Sequence, residues 1–560
     1  MNKQLSTRFL TGLIKFSVLF SGLLFLINTS YAQLNDPDEE TAGVFTEEQV
    51  ALGLQSYQLN CSNACHQADL SGGGPVPALK DLAFLGVWGN ISTTELFDSI
   101  KTSMPPTNAG GLSDETYLAI IAFILSANGA VAGDTPLLAD SDISIGSVTR
   151  RNQPGSTAQY EQSGPTGLTV GGQVPDYQVV SDDELRNPDP ADWLMIRGNH
   201  EAWSYSPLDQ INQDNVGELR LAWIWSMSDI ASNQTSPLVH DGILYLFNPG
   251  NKIQALRADT GELIWEQSLG GKAGTMRGMA IYKNNLIVNT PEGEIVAVNA
   301  ANGEESWRTV IADGFTNTSG PIVGNGKIFT GLSGCTTFDE QKCFVSAYDA
   351  DDGSLLWRFS TVAQAGEPGG DTWGGVDDLF RAGTDTWITP SFDAELNLVY
   401  IGVSQAKPWV AASRDMSVYD DALYSNSTLA LNADTGELVW YYQHVPGETF
   451  DLDEVFERIL VDLDGEKLVF SAGKHGILWK LNRENGAYIG HQETLFQNVF
   501  ESFNPETGRP QYRNDIVEQR VGEWMQACPS TAGGKNWHPM SYHPETESLV
   551  LPLSQSCVDA

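Results

Sequence analysis

The chain changes its hydrophobic rhythm several times along its length. It opens with Lys3, Arg8 and Lys15 around a short apolar run, FSVLFSGLLFLI, followed by NTSYAQ. A basic start, an apolar middle and the small-x-small end Ser30-Tyr31-Ala32 predict a signal peptide over residues 1–32. A retained anchor would need a longer run, and no later stretch is long and apolar enough to cross a bilayer, so no membrane span is expected in the mature chain. Further on, SDETYLAIIAFILSANG has an acidic start and apolar residues at helical spacing, which predicts a helix. Residues 131–185 are rich in Gly, Ser, Pro, Asp and Gln, lack periodicity and read as a linker.

Beyond residue 185 the pattern becomes short strands punctuated by turns. ALRADTGELIW, AVNAANGEESW, AYDADDGSLLW and ALNADTGELVW end at Trp265, Trp307, Trp357 and Trp440, and KLNRENGAYIG is a weaker copy. Each predicts a strand, an Asp/Asn-Gly turn and a second strand carrying a large aromatic. The turn glycines Gly261, Gly303, Gly353, Gly436 and Gly486 lie 42, 50, 83 and 50 residues apart. Such periods, with several strands per unit, indicate propeller blades with the tryptophans packed between neighbours. The 83-residue interval is one blade with an insertion, or one blade plus a degenerate second. The sequence stops at SCVDA without a closing blade, so the ring is expected to be truncated at its C-terminus.

Composition agrees with a mainly β chain that buries large cores: 41% hydrophobic and 18% charged residues, 55 Gly and 15 Trp. A net charge of −40 leaves no surface to neutralise a phosphate backbone, which excludes nonspecific nucleic-acid binding. Export to an oxidising compartment, taken as the periplasm, permits disulfides. Cys335 and Cys343 flank a short loop, and Cys528 and Cys557 lie in turn-rich sequence; both pairs are expected to bond, with no completed metal motif around them.

Cys61 and Cys65 differ, because CSNACH places His66 directly after the second thiol. Two thiols and an adjacent histidine suit covalent haem attachment, although C-x-x-C-H is the usual spacing and this motif has one residue more; a short-loop disulfide is the alternative. Met104, in SMPP, supplies the thioether expected as sixth iron ligand. Residues 44–130 therefore resemble a small all-α class I cytochrome c domain carrying haem c on Cys61 and Cys65, with His66 and Met104 as axial ligands.

DWLMIRGNHEAWSYSPLDQIN, the A-x-D-x-x-G-x-x-x-W repeats, GTDTWITPSFDAELNLVYIGVSQAKPW and PGETFDLDEVFERILVD together resemble the quinoprotein alcohol dehydrogenases, which hold pyrroloquinoline quinone (PQQ) in an eight-bladed propeller. The resemblance spans residues 186–560 and implies the following roles. Trp387 is the floor on which PQQ stacks, Arg277 pairs with its carboxylates, and Lys474 stands near its quinone oxygens. Asn536 and Trp537 are further cofactor contacts. Asp451 takes the alcohol proton as hydride passes to PQQ, and it shares a calcium or lanthanide site with Gln405 and Asp453. The pair Cys528–Cys557 falls where relatives carry a disulfide.

Departures are equally specific. Thr336 stands where the resemblance expects a metal-binding glutamate, Gln405 where it expects asparagine and Gln234 where it expects another glutamate; LGGKAGTMRG lacks the usual neighbouring cysteines. The implied activity is oxidation of a small or polymeric alcohol, with electrons leaving through the fused haem to a soluble acceptor such as a cytochrome. Two other classes stay open. A cytochrome cd1-type nitrite reductase would need propeller histidines for a second haem, and a non-enzymatic propeller scaffold with a redox haem module would need none of the cofactor residues.

Overall fold

In the computed structural model the described residues are 43–150 and 166–559, apart from 69, 71–77, 81–83, 86–87, 90, 106–108, 228–231, 272–273, 313–314, 337–339 and 521. The expected signal peptide and the middle of the expected linker lie outside them.

The N-terminal part is helical. Helix α1 (Glu47–Tyr57) starts at a capping box between Thr46 and Gln49 and runs into a π-helix, Gln58–His66. Helix α2 (Thr93–Ser103) is capped by Ser92 and Glu95, and α3 (Asp114–Ala127) is the helix predicted from its apolar spacing. The α1–α3 crossing is close because position 53 is glycine: a Cβ there would stand 1.9 Å from the Ala119 carbonyl oxygen. Tyr57 and Phe123 pack beside the crossing with ring centroids 5.3 Å apart. Leu137 and Ile145, at the start of the expected linker, are buried in this same core.

The remainder is a mainly β propeller. Four antiparallel meanders have four strands each: Met279–Val310, Ile322–Ser360, Ser391–Gln443 and Ile459–Glu493. The first meander, Leu238–Ser268, gains a fifth strand, Gly167–Val170, on its outer edge. Val174, Val180 and Leu185 are buried in the adjoining core. The linker boundary is therefore corrected at both ends, since residues 137–150 belong to the helical unit and 167–185 to the propeller. The 83-residue interval is a single blade, with insertions at 361–390 and 403–426 that carry short 3-10 turns. Among the described residues the blades with four or more strands number five, where the resemblance expected a ring of eight; three two-stranded sheets lie beyond residue 499.

One device recurs between blades. Each repeat tryptophan pairs across its sheet with an alanine (Ala255–Trp265, Ala297–Trp307, Ala347–Trp357, Ala430–Trp440), and a register shift follows directly. Its ring then covers the turn glycine of the next repeat. At Gly303, Gly353, Gly436 and Gly486, φ lies between 72° and 78°, and a Cβ would meet the indole at 2.5–2.6 Å. Trp223 covers Gly261 in the same way and donates its indole N–H to the Ala258 carbonyl, as Trp265 does to Ala300. It is a fifth docking tryptophan that the repeat motif did not reveal. Cys335–Cys343 and Cys528–Cys557 are disulfides, and no helix among the described residues is long and apolar enough to cross a membrane.

Candidate active site

In an antiparallel meander the entry of the first strand and the exit of the second lie at one edge of the sheet. Gln234, Arg277, Thr318, Trp387, Asp451, Asp453 and Trp537 all precede the first strand of a sheet, and Ser333, Gln405 and Lys474 follow a second strand. Residues spread over three hundred positions thus converge on one end of the propeller.

Trp387 lies edge-on to Phe456, with centroids 5.3 Å apart and planes at 89°, and the two share an apolar cluster with Ile388, Val455 and Trp537. The guanidinium carbon of Arg277 lies 4.3 Å from the Trp387 ring centroid. This indole face therefore accepts a flat, charged group. Arg277 is fixed there by Nε donating to Gln234 Oε1 (2.7 Å) and one terminal nitrogen donating to Thr318 Oγ1 (2.6 Å). Burial pulls its pKa down to about 10, against the pull of Asp453. A cavity of about 300 Å³ is lined by Arg277, Thr318, Asp385, Trp387, Gln405 and Asp453. A second, of about 260 Å³, lies across Arg277 and is lined by Gln234, Ile388 and Trp537.

Asp451 and Asp453 project from the 444–458 loop, where Asp451 has the left-handed φ of 58°. Glu448 shapes this loop: its buried carboxylate accepts the Phe450 N–H, and burial pushes its pKa up to about 7. Asp451 Oδ1 accepts from Gln405 Nε2 (2.6 Å), and Oδ2 accepts from Lys474 Nζ (3.1 Å) and from the Thr531 hydroxyl. Asp453 Oδ1 accepts from the Gln405 N–H (3.1 Å), and its Oδ2 lies 2.7 Å from Lys474 Nζ. Burial disfavours the Lys474 ammonium, but Asp453 and Asp451 outweigh it and hold its pKa above the ordinary lysine range. Burial pushes the Asp453 carboxyl up against the opposing pull of Lys474.

Of the residues singled out from sequence, Arg277, Trp387, Gln405 and Asp453 share the larger cavity, with Asp451 and Lys474 bonded to its wall. Trp537 lines the second cavity. Asn536 lines neither, and its side-chain oxygen accepts the Trp537 N–H. Thr336 adjoins Cys335, whose N–H donates to Asp385 Oδ1. Sequence reasoning missed Thr318, Ser333, Asp385 and Lys407; their positions at blade-strand ends are the signal that marks them. Asp385 forms an ion pair with Lys407 at 2.7 Å. No histidine lines either cavity, as a haem-holding propeller would require, and His200, His240, His444 and His475 are bonded elsewhere.

In the helical unit, Cys61, Cys65 and His66 share the π-helix. His66 is buried and Cys61 packs against the apolar core. Met104 caps the end of α2, and its carbonyl accepts the Tyr117 hydroxyl at 2.8 Å.

Residues 193–494 match the family described as PQQ: glucose/ethanol/alcohol dehydrogenase, beta-propeller domain. A quinohemoprotein alcohol dehydrogenase of Comamonas testosteroni is 32% identical over 428 residues, covering 71% of this chain and 59% of the relative. Quinohemoprotein alcohol dehydrogenase ADH-IIG of Pseudomonas putida is 32% identical over 396 residues, covering 65% and 54%. The chain therefore spans somewhat more than half the length of these relatives. Among solved structures, a europium-containing methanol dehydrogenase superposes with a TM-score of 0.61 at 28% identity, covering 66% of this chain and 70% of that one.

Proposed function

This chain belongs to the PQQ-dependent glucose/ethanol/alcohol dehydrogenase family, and from that premise we propose that it oxidises an alcohol in the periplasm and passes the electrons to a haem c in its own helical unit. PQQ, when bound, supplies the hydride acceptor. Trp387 provides an aromatic floor for a flat conjugated ring. Arg277, held by Gln234 and Thr318, offers a planar cation to ring carboxylates. Asp451 takes the alcohol hydroxyl proton, and Lys474 beside it stabilises negative charge as the reaction proceeds. The family's cation position falls on Asp451, Asp453 and Gln405.

The observation that carries this reading is a carboxylate fixed by Lys474 and bonded to Gln405, which lines a cavity together with the Trp387 indole. The test is alcohol-dependent reduction of a dye by exported protein loaded with PQQ, across small and polymeric alcohols. Asp451→Asn is expected to lose about 10²- to 10⁴-fold in turnover while still binding PQQ. Undiminished turnover in that variant, or none in the PQQ-loaded parent, would refute the reading.

The haem assignment to Cys61, Cys65, His66 and Met104 is supported by the burial of His66 and the packing of Cys61 on the apolar core. It predicts a covalent c-type haem spectrum from exported protein, lost in Cys65→Ala. A soluble acceptor such as a cytochrome would then take the electrons.

A further inference from the structure

The resemblance expects a calcium or lanthanide ion between Asp451, Asp453, position 405 and a carboxylate at position 336. The residues present do not fit one. Every oxygen of Asp451 and Asp453 faces a donor of the chain: Gln405 Nε2 and backbone N–H, the Lys474 ammonium and the Thr531 hydroxyl. Position 336 is threonine. Among the described residues, the one group of three acidic, histidine or cysteine side chains close enough to share an ion is Cys335, Cys343 and Asp385, and the two cysteines are joined in a disulfide. Among the described residues lining the cavity, Gln405 Oε1 and Ser404 Oγ are the buried side-chain oxygens with neither a hydrogen bond nor an ion pair, whereas a calcium ion takes six to eight.

Charge leads to the same conclusion. The half-buried Asp451 and the buried Asp453 are balanced by Lys474, bonded to both, and by Arg277, which Asp453 attracts. The cluster is neutral as it stands. A divalent or trivalent ion would have to displace the ammonium from both aspartates and leave its charge uncompensated in a site where Lys474 is 6% exposed.

We propose that Lys474 is the resident cation of this site, its ammonium holding Asp451 and Asp453 together where a metal ion is expected, so that PQQ binds without calcium or a lanthanide. The inference rests on the PQQ reading above. The lysine also keeps Asp451 oriented with no ion to lose, which frees the protein from metal supply.

The test uses the exported full chain after exhaustive chelation. Terbium luminescence, sensitised by nearby tryptophans, is titrated on the protein, and PQQ affinity is measured by fluorescence quenching with and without calcium or lanthanum. The expected result is no saturable terbium site and a PQQ affinity that metal changes by less than about twofold. Lys474→Met removes the resident charge and is expected to create a saturable terbium site, whereas Lys474→Arg is not. A stoichiometric terbium site in the parent, displaced by calcium and raising PQQ affinity more than about tenfold, would overturn the proposal. If Lys474→Met fails to fold, the titration of the parent decides alone. Absence of PQQ binding with and without metal would sink the cofactor reading and with it the metal-free PQQ binding proposed here, while the terbium titration would still decide separately whether Lys474 holds the site in place of a metal.

Discussion

Glu457 offers a test of how buried charge supports the cofactor end of the propeller. Its carboxylate and the Lys535 ammonium are both fully buried and 2.5 Å apart. Glu457 also accepts the Met540 N–H at 2.7 Å and attracts the buried Arg197. Lys535 lies 4.5 Å from the Phe456 ring, the same ring that braces Trp387. At an effective dielectric near 20 the close pair attracts by about 7 kcal/mol, and dehydrating each ion costs several kcal/mol in return. The net worth of the pair is therefore small, but the two ends are not equivalent. Glu457→Gln leaves two buried cations facing a neutral amide, and a loss of about 3–5 kcal/mol is expected. Lys535→Met leaves the carboxylate still opposed by Arg197, so the loss is expected to be about 1–3 kcal/mol. Urea unfolding of the two variants and the parent at neutral pH measures both. Equal costs, or a larger cost for Lys535→Met, would refute the shared-carboxylate argument.

Further outcomes follow from other contacts. Trp387→Ala is expected to weaken PQQ binding by about tenfold or more, through loss of a stacking face worth about 0.5–1.5 kcal/mol beyond its buried area; equilibrium dialysis measures this. His444 is fully buried, and burial lowers its pKa to about 3 in the fold from an ordinary 6.5. The unfolded chain therefore binds the extra proton between those values, so stability rises with pH across that window and is lost as pH falls through it, by up to about 1.4 kcal/mol per pH unit. Glu454, Arg458 and His475 face the ring; His444→Asn should flatten the acid limb of the unfolding curve. Gly436→Ala combines a positive φ with a Cβ 2.5 Å from Trp357 and is expected to cost about 2–4 kcal/mol by thermal unfolding.

The blades were legible because each repeat writes its turn and its docking aromatic in sequence, and the insertion at residues 361–390 merely lengthens one period. Trp223 escaped notice because LRLAWIW lacks the Asp/Asn-Gly turn that precedes the other four, though its ring does the same work. Asp451, Lys474, Arg277 and Trp387 were singled out through resemblance, and they lie near one another because all occupy one edge of their sheets. Asp385 was missed because one carboxylate among 71 acidic residues stands in no motif of its own, and Thr318 because its type is common; only their phase in the repeat marks them. The linker boundaries failed for a related reason. Gly167–Val170 is only four residues long, leaves Leu168 and Val170 exposed, and becomes a strand only by adding to the outer edge of a sheet formed a hundred residues later.

The tryptophan-on-glycine contacts also set an angular pitch. Arg277 leads into the second blade, Trp387 into the fourth and Asp451 into the fifth, so their mutual positions depend on the summed rotation from one blade to the next. A misfit at any one docking glycine would turn every later blade and misalign the convergent loops, much as a worn tooth shifts the phase of a gear train. The outer rim of this protein thus calibrates its centre, and mutations far from the cavity can act on chemistry by changing angle rather than contact.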